Sequence, residues 1–444
     1  MHSHTGWRRH HRMLPLALLL LMLPFLFVQC SRTESRESGL VTITYWPSTN
    51  PYEIELAREM ASQWNAVHPD TQVVVQPLPE GRSGEEVLII AAAGGTAPDI
   101  CSNVGPVIVP LLAKAGALIP VDRFPGARDF MESRLPEGMI SGFVGSDDSL
   151  YQIPWKGNPI LVQYNDAILR EGGFDRPPRT WSEWDTLAAR ISGDTDGDGR
   201  DDRWMADINI VAEWRQRLFD FYAFYIAASG GKTLLTPDGK VDFNNPVAVK
   251  VFDFFANGFK KGYYANSIWV GDVFLQGKMA AHVTGPWNIA HTEHMKPEGF
   301  EYSFGPIPVP DEFEGKEYTF GDPKSIGIFT TSKHPQAAWN FVHFMLTRQS
   351  DLRLLQITNQ LPLRRNLLSD SLFVPYFQTN PMMVQFADHV STTRGFDQNT
   401  ALQEVFDAVC TSFEAACILG RWDLQMAVEK AGKRSEHLLS LRGS

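Results

Sequence analysis

The chain has 444 residues, of which 43% are hydrophobic and 20% charged, and its formal net charge at pH 7 is −11. This length allows two or three globular domains with large hydrophobic cores, and the composition excludes a disordered or fibrous protein. The negative charge argues against a nucleic-acid partner, because such a partner would require a basic face.

The N-terminal segment has the pattern of an export signal. A cluster of arginines precedes an uncharged apolar run that ends at Gln29, and this run is too short to span a membrane as a helix. Cys30 follows directly, and the next residues are polar. The order resembles a bacterial lipoprotein signal and predicts a signal peptide at 1–29, lipidation of Cys30 and a tether at 30–38. The protein would then be exported and anchored to a membrane, in the periplasm or at the cell surface. Lipoprotein signals favour a small residue where Gln29 stands, so an ordinary secretory signal with a stray cysteine stays open.

Strands and helices alternate in the first part of the mature chain. Residues 41–46 alternate as a half-buried strand, a helix follows and ends at residues 68–69, and a second strand spans 72–76. A helix at 85–93 and a short strand near residue 100 complete the series. This rhythm predicts a parallel sheet covered by helices. Ligands of such sheets lie beyond the carboxyl ends of the strands, where Trp46 and Asn103 fall.

The stretch 151–165 is predicted to carry the chain from one lobe to another. It is interpreted as two short strands, 151–154 and 159–164, joined by a kink in which Pro and Gly prevent regular pairing. Trp155 and Asn158 lie in that kink and are predicted to face a ligand cleft.

Helices and one further strand are predicted in the middle of the chain. Helices are expected at 166–171, from Thr180, at 213–229 and at 246–261, and a strand from residue 277 runs into a Gly-Pro-Trp loop that holds Trp287. Tryptophans on helical faces are expected to pack in the core, namely Trp64, Trp181, Trp184 and Trp339. Asp99 precedes a loop and is expected to cap backbone N–H groups.

An acidic loop has the spacing of a calcium-binding loop. Its acids stand at positions one, three, five and nine and a glycine stands at position six, in the residues Asp194, Asp196, Asp198, Asp202 and Gly199. Position twelve is Met205, so another acid such as Asp207 would have to supply the missing carboxylate. A structural Ca²⁺ and a plain acidic turn both stay open, and no other cofactor is expected.

Motifs of catalysis are missing from the sequence. There is no Gly-x-Ser-x-Gly elbow and no dinucleotide fingerprint, and residues 291–294 do not form a zinc motif. Cys410 and Cys417 lie about 10 Å apart along a predicted helix, which is too far for a disulfide. We therefore expect a non-enzymatic protein stabilised by its core.

Four phrases in order along the mature chain resemble the family 1 extracellular solute-binding proteins of bacterial ABC importers, the group of the maltodextrin-binding protein. They are the strand and helix of 41–69, residues 92–99, residues 153–181 with Ile-Pro-Trp, Tyr-Asn and Pro-Arg-Thr-Trp, and residues 277–287. The resemblance implies an α/β, two-lobed periplasmic-binding-protein fold of type II, in which each lobe is a mixed sheet flanked by helices. We assign 39–156 and 304–352 to an N-terminal lobe, and 157–303 and 353–444 to a C-terminal lobe.

The resemblance also implies a ligand site. Trp287 matches the family's stacking tryptophan, Asn158 a polar contact and Asn103 a contacting loop, whereas Asp322 stands where many relatives have small residues, so its role stays open. Aromatic rings cover the apolar face of a sugar and polar groups bind its hydroxyls. We expect a monomeric, lipid-anchored receptor that delivers a sugar or oligosaccharide to an ABC permease. The alternatives are a secreted carbohydrate-active enzyme, and the same fold binding glycerol phosphate or another small polar solute.

Overall fold

The computed structural model describes residues 39–79, 83–145, 147–268 and 271–442, so the predicted signal peptide and the whole tether, including Cys30, lie outside the described residues. The strands within these ranges are β1 Val41–Trp46, β2 Thr71–Val75, β3 Ile100–Val104, β4 Ile153–Pro159, β5 Leu161–Asn165, β6 Trp204–Ala206, β7 Met279–Thr284, β8 Tyr302–Gly305, β9 Thr319–Ile328 and β10 Thr393–Arg394.

Helices lie between and after these strands. They are α1 Pro51–Val67, α2 Gly84–Ala93, α3 Val109–Lys114, α4 Ala127–Arg134, α5 Asp166–Glu171, α6 Trp181–Ile191, α7 Phe221–Ala228, α8 Pro246–Lys260, α9 Trp287–Met295, α10 Pro335–Met345, α11 Arg348–Thr358, α12 Val374–Thr379, α13 Pro381–His389, α14 Leu402–Phe413 and α15 Leu424–Arg442. Short 3-10 turns occur at Pro106–Ile108, Val121–Arg123, Met139–Phe143, Trp214–Leu218 and Val390–Thr392, and a π turn at Glu414–Ile418. None of the described helices is both long and apolar enough to cross a membrane.

The first sheet contains six strands. β1 pairs in parallel with β2 and β3, β9 pairs antiparallel with β3 and β4, and β10 pairs in parallel with β9. The predicted parallel start is confirmed. Its helix α1 ends at Val67, next to the predicted end, and begins where Asn50 caps it and Pro51 occupies its first turn.

The second sheet contains four strands in the order β6-β7-β5-β8. The central strand β5 pairs antiparallel with β7 and β8, and β6 pairs in parallel with β7. Both sheets are therefore mixed. The first is discontinuous in sequence, because β5 to β8 of the second sheet lie along the chain between its strands β4 and β9. The lobe boundaries stay a prediction. The sheets themselves change at slightly different places: residues 157–159 still belong to the first sheet through β4, residues 304–305 still belong to the second through β8, and β10 lies in the first sheet.

The crossover stretch differs from the predicted kink. β4 runs without interruption from Ile153 to Pro159, so Trp155 and Asn158 lie in a strand. The register against β9 shifts between Pro154 and Lys156, which marks a β-bulge that accommodates the missing proline donor. The chain leaves the first sheet only at Ile160, and β5 then joins the second.

One hydrophobic cluster contains residues of both sheets, such as Val104 of β3 and Val162 of β5, and a second cluster packs on the first sheet. Trp64, Trp184 and Trp339 are buried as predicted, and Trp181 is partly buried against the same core as Trp184. Cys101, Cys410 and Cys417 are buried and free. The helix predicted at 213–229 is divided into a 3-10 turn and α7, because Asp220 caps α7 with its side chain.

Candidate functional site

Two cavities adjoin at the ring of Phe219, which lines both. We name them the Trp287 cavity, of about 210 Å³, and the Asn103 cavity, of about 220 Å³. The Trp287 cavity has polar walls of Asp207, Asn209, Gln216, Asp220, His282 and Thr284. The Asn103 cavity combines Glu85, Asn103, Asp322 and Lys324 with Trp214, Arg215 and Phe396. We refer to the two cavities together as the trench, whose lining is aromatic and polar.

The Gly-Pro-Trp phrase places Trp287 at this trench. β7 ends at Thr284, and α9 begins at Trp287 with Pro286 as its N-cap residue. A Cβ atom on Gly285 would lie 2.0 Å from a ring carbon of Trp287, so only glycine lets the indole fold back over the backbone. The ring of Phe219 meets that of Trp287 edge to face, with centroids 6.2 Å apart.

Segments of both sheets meet at the Asn103 cavity. Asn103 comes from β3 and Asp322 and Lys324 from β9, both in the first sheet, whereas Arg215 belongs to the 3-10 turn that follows β6. Arg215 Nη1 lies 3.8 Å from Glu85 Oε2, and Lys324 Nζ lies 3.0 Å from Asp322 Oδ1. Burial disfavours the charge of Lys324, but the surrounding carboxylates outweigh burial and raise its pKa. Each cation of this cavity therefore has a carboxylate partner.

The Trp287 cavity contains perturbed acids and a histidine. Burial raises the pKa of Asp220 to about 6, although Arg217 Nη2 lies 2.8 Å from its carboxylate and opposes that shift. Burial lowers the pKa of His282, against the charges of Asp207 and Asp272, which favours a neutral imidazole at pH 7. Asp207 keeps part of its surface open to solvent, but the cavity walls still desolvate it and raise its pKa.

The predicted ligand residues divide into two groups. Trp287, Asn103 and Asp322 line the cavities. Trp155 and Asn158 do not line them, because β4 is paired with β9 and covered by residues 361–363, which leaves each side chain 1% exposed. Their ligand role stays a prediction that the geometry does not support.

The amide of Asn158 takes part in a buried structural network. Its Nδ2 donates to Gln360 Oε1 at 3.0 Å, and Gln360 Nε2 in turn donates to Glu53 Oε1 at 2.8 Å. Trp46 is partly exposed, donates from Nε1 to Gln76 Oε1 at 3.4 Å and lines neither cavity. Trp46, Trp155 and Asn158 therefore all lie outside the linings of the two cavities.

The expected cap at Asp99 is confirmed. Its Oδ2 accepts from the backbone N–H of Thr44 at 2.8 Å and from the Thr44 hydroxyl at 2.7 Å, and its own N–H donates to that hydroxyl at 2.9 Å. Ser332 donates to the other carboxylate oxygen. Asp99 therefore ties β1 to the loop before β3.

Three cavity residues were not predicted from the sequence, namely Phe219, Trp214 and Arg215. All three lie in the segment predicted as a single helix, where aromatic residues would be expected to pack in the core. A 3-10 turn replaces the first half of that helix, and Trp214 and Arg215 in the turn and Phe219 directly after it line the Asn103 cavity.

The acidic loop brings three of its four carboxylates together. Oxygens of Asp194, Asp196 and Asp198 lie within 4.8 Å of one another, and Gly199 has a φ of 85°. Asp202 instead accepts from Thr195, at 2.8 Å from its hydroxyl. The twelfth position is a buried residue of β6, and Asp207, the suggested substitute, lines the Trp287 cavity.

The chain contains two mixed sheets covered by helices and joined by a crossover, and a polar and aromatic trench lies where residues from the two meet. This arrangement defines a two-lobed binding protein. The model of the bacterial extracellular solute-binding proteins matches residues 50–351, and the chain belongs to this family. It is a solute-binding protein of an ABC importer and not an enzyme. Membership of an extracellular family means that the protein is exported.

Individual relatives are distant. A maltotriose-binding protein of Pyrococcus abyssi is 23% identical over 365 residues, which cover 81% of this chain and 73% of that protein. The maltodextrin-binding protein MdxE of Bacillus subtilis is 24% identical over 236 residues, 49% of this chain and 50% of that protein. The sugar-binding protein MalE of Xanthomonas citri has a TM-score of 0.72 at 23% identity, covering 90% of this chain and 98% of that one. The cyclic alpha-maltosyl-1,6-maltose binding protein of Arthrobacter globiformis has a TM-score of 0.75 at 20% identity, covering 91% and 100%. At these identities, the structural likeness shows the two-lobed fold.

Proposed function

We propose that the protein captures an oligosaccharide in the trench formed by the two cavities and delivers it to an ABC permease. The observation that carries this proposal is the edge-to-face pair of Trp287 and Phe219, surrounded by amide, hydroxyl and carboxylate groups. Aromatic rings pack on the apolar faces of sugar rings, and the polar groups bind hydroxyls. Relatives named for maltotriose and maltodextrin support the ligand class.

The charge balance of the Asn103 cavity favours this ligand over glycerol phosphate. A phosphate would need cations free to bind it, whereas Arg215 is near Glu85 and Lys324 is paired with Asp322. A sugar leaves both ion pairs in place and adds hydrogen bonds to them. Contacts with both sheets would also favour a closed arrangement of the lobes, which a permease could recognise.

Titration of the purified protein with maltotriose, followed by calorimetry and tryptophan fluorescence, tests the proposal. We expect saturable binding without hydrolysis, and a loss of at least about 30-fold in affinity for Trp287→Ala, the effect of a central aromatic anchor of about 2 kcal/mol. Trp422→Ala is the control, because this partly exposed indole packs under Lys430 and lines neither cavity. Saturation by glycerol phosphate but not by maltotriose, release of smaller sugars, or an unchanged affinity for Trp287→Ala would contradict the proposal.

We propose further that the exported protein is a monomer attached to the membrane through a lipid on Cys30, in the periplasm or at the cell surface. The order of a charged segment, an apolar run and a cysteine supports this proposal. Palmitate labelling of the protein expressed in a bacterium should occur for the wild type and vanish for Cys30→Ser. Labelling that survives this substitution would exclude the anchor, and light scattering of the detergent-free mature form tests the monomer.

We also propose a structural Ca²⁺ in the acidic loop. Three carboxylates within 4.8 Å and the left-handed Gly199 fit the first half of such a site. Calcium should raise the melting temperature of the wild type but not that of Asp196→Asn. An equal response of both proteins, or no response, would leave only an acidic turn.

A further inference from the structure

We infer that the Trp287 cavity is a subsite for a protonated amine, so that the captured oligosaccharide carries an amino-sugar ring at this end. The inference rests on the proposed function and specifies its ligand. It follows from the charges that line the cavity and from the aromatic rings beside them.

The described lining of the Trp287 cavity contains carboxylates but no lysine or arginine. The carboxylate of Asp220 forms an ion pair with Arg217, which is fully buried and does not line the cavity. Asp207 has no ion pair or side-chain hydrogen bond within the ranges that the structure describes. His282 could provide a positive charge, but its burial favours the neutral form at pH 7. One carboxylate is therefore left without a counter-charge.

The Asn103 cavity provides the comparison. Its two acids each lie near a cation, Glu85 near Arg215 and Asp322 near Lys324, so its lining is balanced. The excess negative charge of the trench is thus concentrated at the Trp287 end. A neutral sugar ring would satisfy hydrogen bonds at either end, but only a cation would neutralise Asp207.

The aromatic rings add to the preference for a cation. Trp287 and Phe219 both line the cavity, and the face of an indole attracts an ammonium group. A partly exposed carboxylate–ammonium pair and one cation–π contact together predict a preference of about tenfold for an amine over the hydroxyl that it replaces. Because the site is partly open to solvent, salt should weaken this preference.

The test compares maltotriose with a set of analogues that each replace one hydroxyl of a terminal ring by an amine, at pH 7 and low salt. The wild type should bind at least one analogue about tenfold more tightly than maltotriose, and the ratio should shrink in 0.5 M salt. Asp207→Asn should bring the ratio within about threefold. Asp129→Asn makes the same change in net charge on the exposed surface of α4 and should keep the tenfold ratio.

The outcomes separate the two proposals. If maltotriose binds and no analogue binds more tightly, or if the preference survives Asp207→Asn, the oligosaccharide function stands and the amine subsite is wrong. If neither maltotriose nor any analogue binds, the proposed function itself fails.

Discussion

Replacing Lys156 by methionine tests the buried charge pair at the crossover. Lys156 Nζ lies 2.6 Å from Glu53 Oε1, and the two side chains are 0% and 7% exposed. Methionine has a similar length and keeps the packing of the lysine stem, but it leaves Glu53 with Gln360 as its main remaining polar partner. The variant therefore removes a charge from a site where water cannot replace it.

The expected loss can be worked out from this geometry. At 2.6 Å and an effective dielectric constant of about 20, the Coulomb attraction is about 6 kcal/mol, which desolvation of both groups largely offsets. Breaking a buried pair by removing one partner costs about 3–5 kcal/mol, because the other charge is left uncompensated. The retained bond from Gln360 favours the lower end, so we expect a decrease of about 3 kcal/mol in the free energy of unfolding.

Urea denaturation at pH 7 measures this loss. Lys250→Met is the matched control, because Lys250 pairs with Glu312 on the surface, where the side chains are 55% and 66% exposed, and it should cost less than about 1 kcal/mol. Adding Glu53→Gln to Lys156→Met should recover part of the stability, since no buried charge then remains. A loss below about 1 kcal/mol for Lys156→Met would refute the reasoning.

The pH dependence gives a second readout of the same pair. Burial raises the pKa of Glu53, but the charge and hydrogen bond of Lys156 outweigh burial and hold it below its usual value. The wild-type pair thus contributes stability above the unfolded pKa, and this contribution is lost as the pH falls. In Lys156→Met burial acts without that opposition, so Glu53 takes up a proton on folding in mild acid. The difference in free energy of unfolding between the wild type and Lys156→Met should therefore become smaller as the pH is lowered from 7 to 5.

Two further substitutions test a buried carboxyl and a close packing contact. Burial raises the pKa of Asp397 to about 6, so the native state holds a proton that the unfolded chain has released, and stability falls as the pH rises from about 4 to 6. In Asp397→Asn, up to about 3 kcal/mol of this decrease in the free energy of unfolding should be absent, as measured by urea denaturation at several pH values in that range. If the free energy of unfolding of the variant fell with pH as steeply as that of the wild type, the raised pKa of Asp397 would be contradicted. Gly258→Ala would place a Cβ atom 2.1 Å from a ring carbon of buried Tyr264, and its melting temperature should drop by the equivalent of about 1–3 kcal/mol. Gly142→Ala, which meets no atom within 4 Å, should not show this drop.

The elements that could be predicted from the sequence are those fixed by local signals. The strand at 41–46 alternates along its length, and α1 has Asn at its cap and Pro in its first turn. α5 is bounded by Asn165 and Gly172 where the residue pattern indicated. These signals act within one turn or one strand, so they do not depend on the rest of the chain.

The candidate site was predicted only in part, because its walls come from distant segments. Trp287 could be found, since Gly-Pro after a strand places an indole at the strand end. Phe219 could not, because its exposure depends on the 3-10 turn that interrupts a stretch with a helical pattern. Arg215 lines a cavity together with Glu85, which lies far away in the sequence, so no local pattern could indicate that the two meet.

The crossover shows how tertiary pairing overrides a local signal. Prolines and a glycine indicated a kink that would offer Trp155 to a ligand, but a bulge and two flanking segments hold that residue in the core of the first sheet. Ile160 is also fixed there, since its N–H donates to Phe320 O at 2.8 Å. Leu161 is the first residue of β5 and pairs with Thr284 in the second sheet. A rotation of one sheet against the other must therefore change the backbone torsions at Ile160 and Leu161 in this segment.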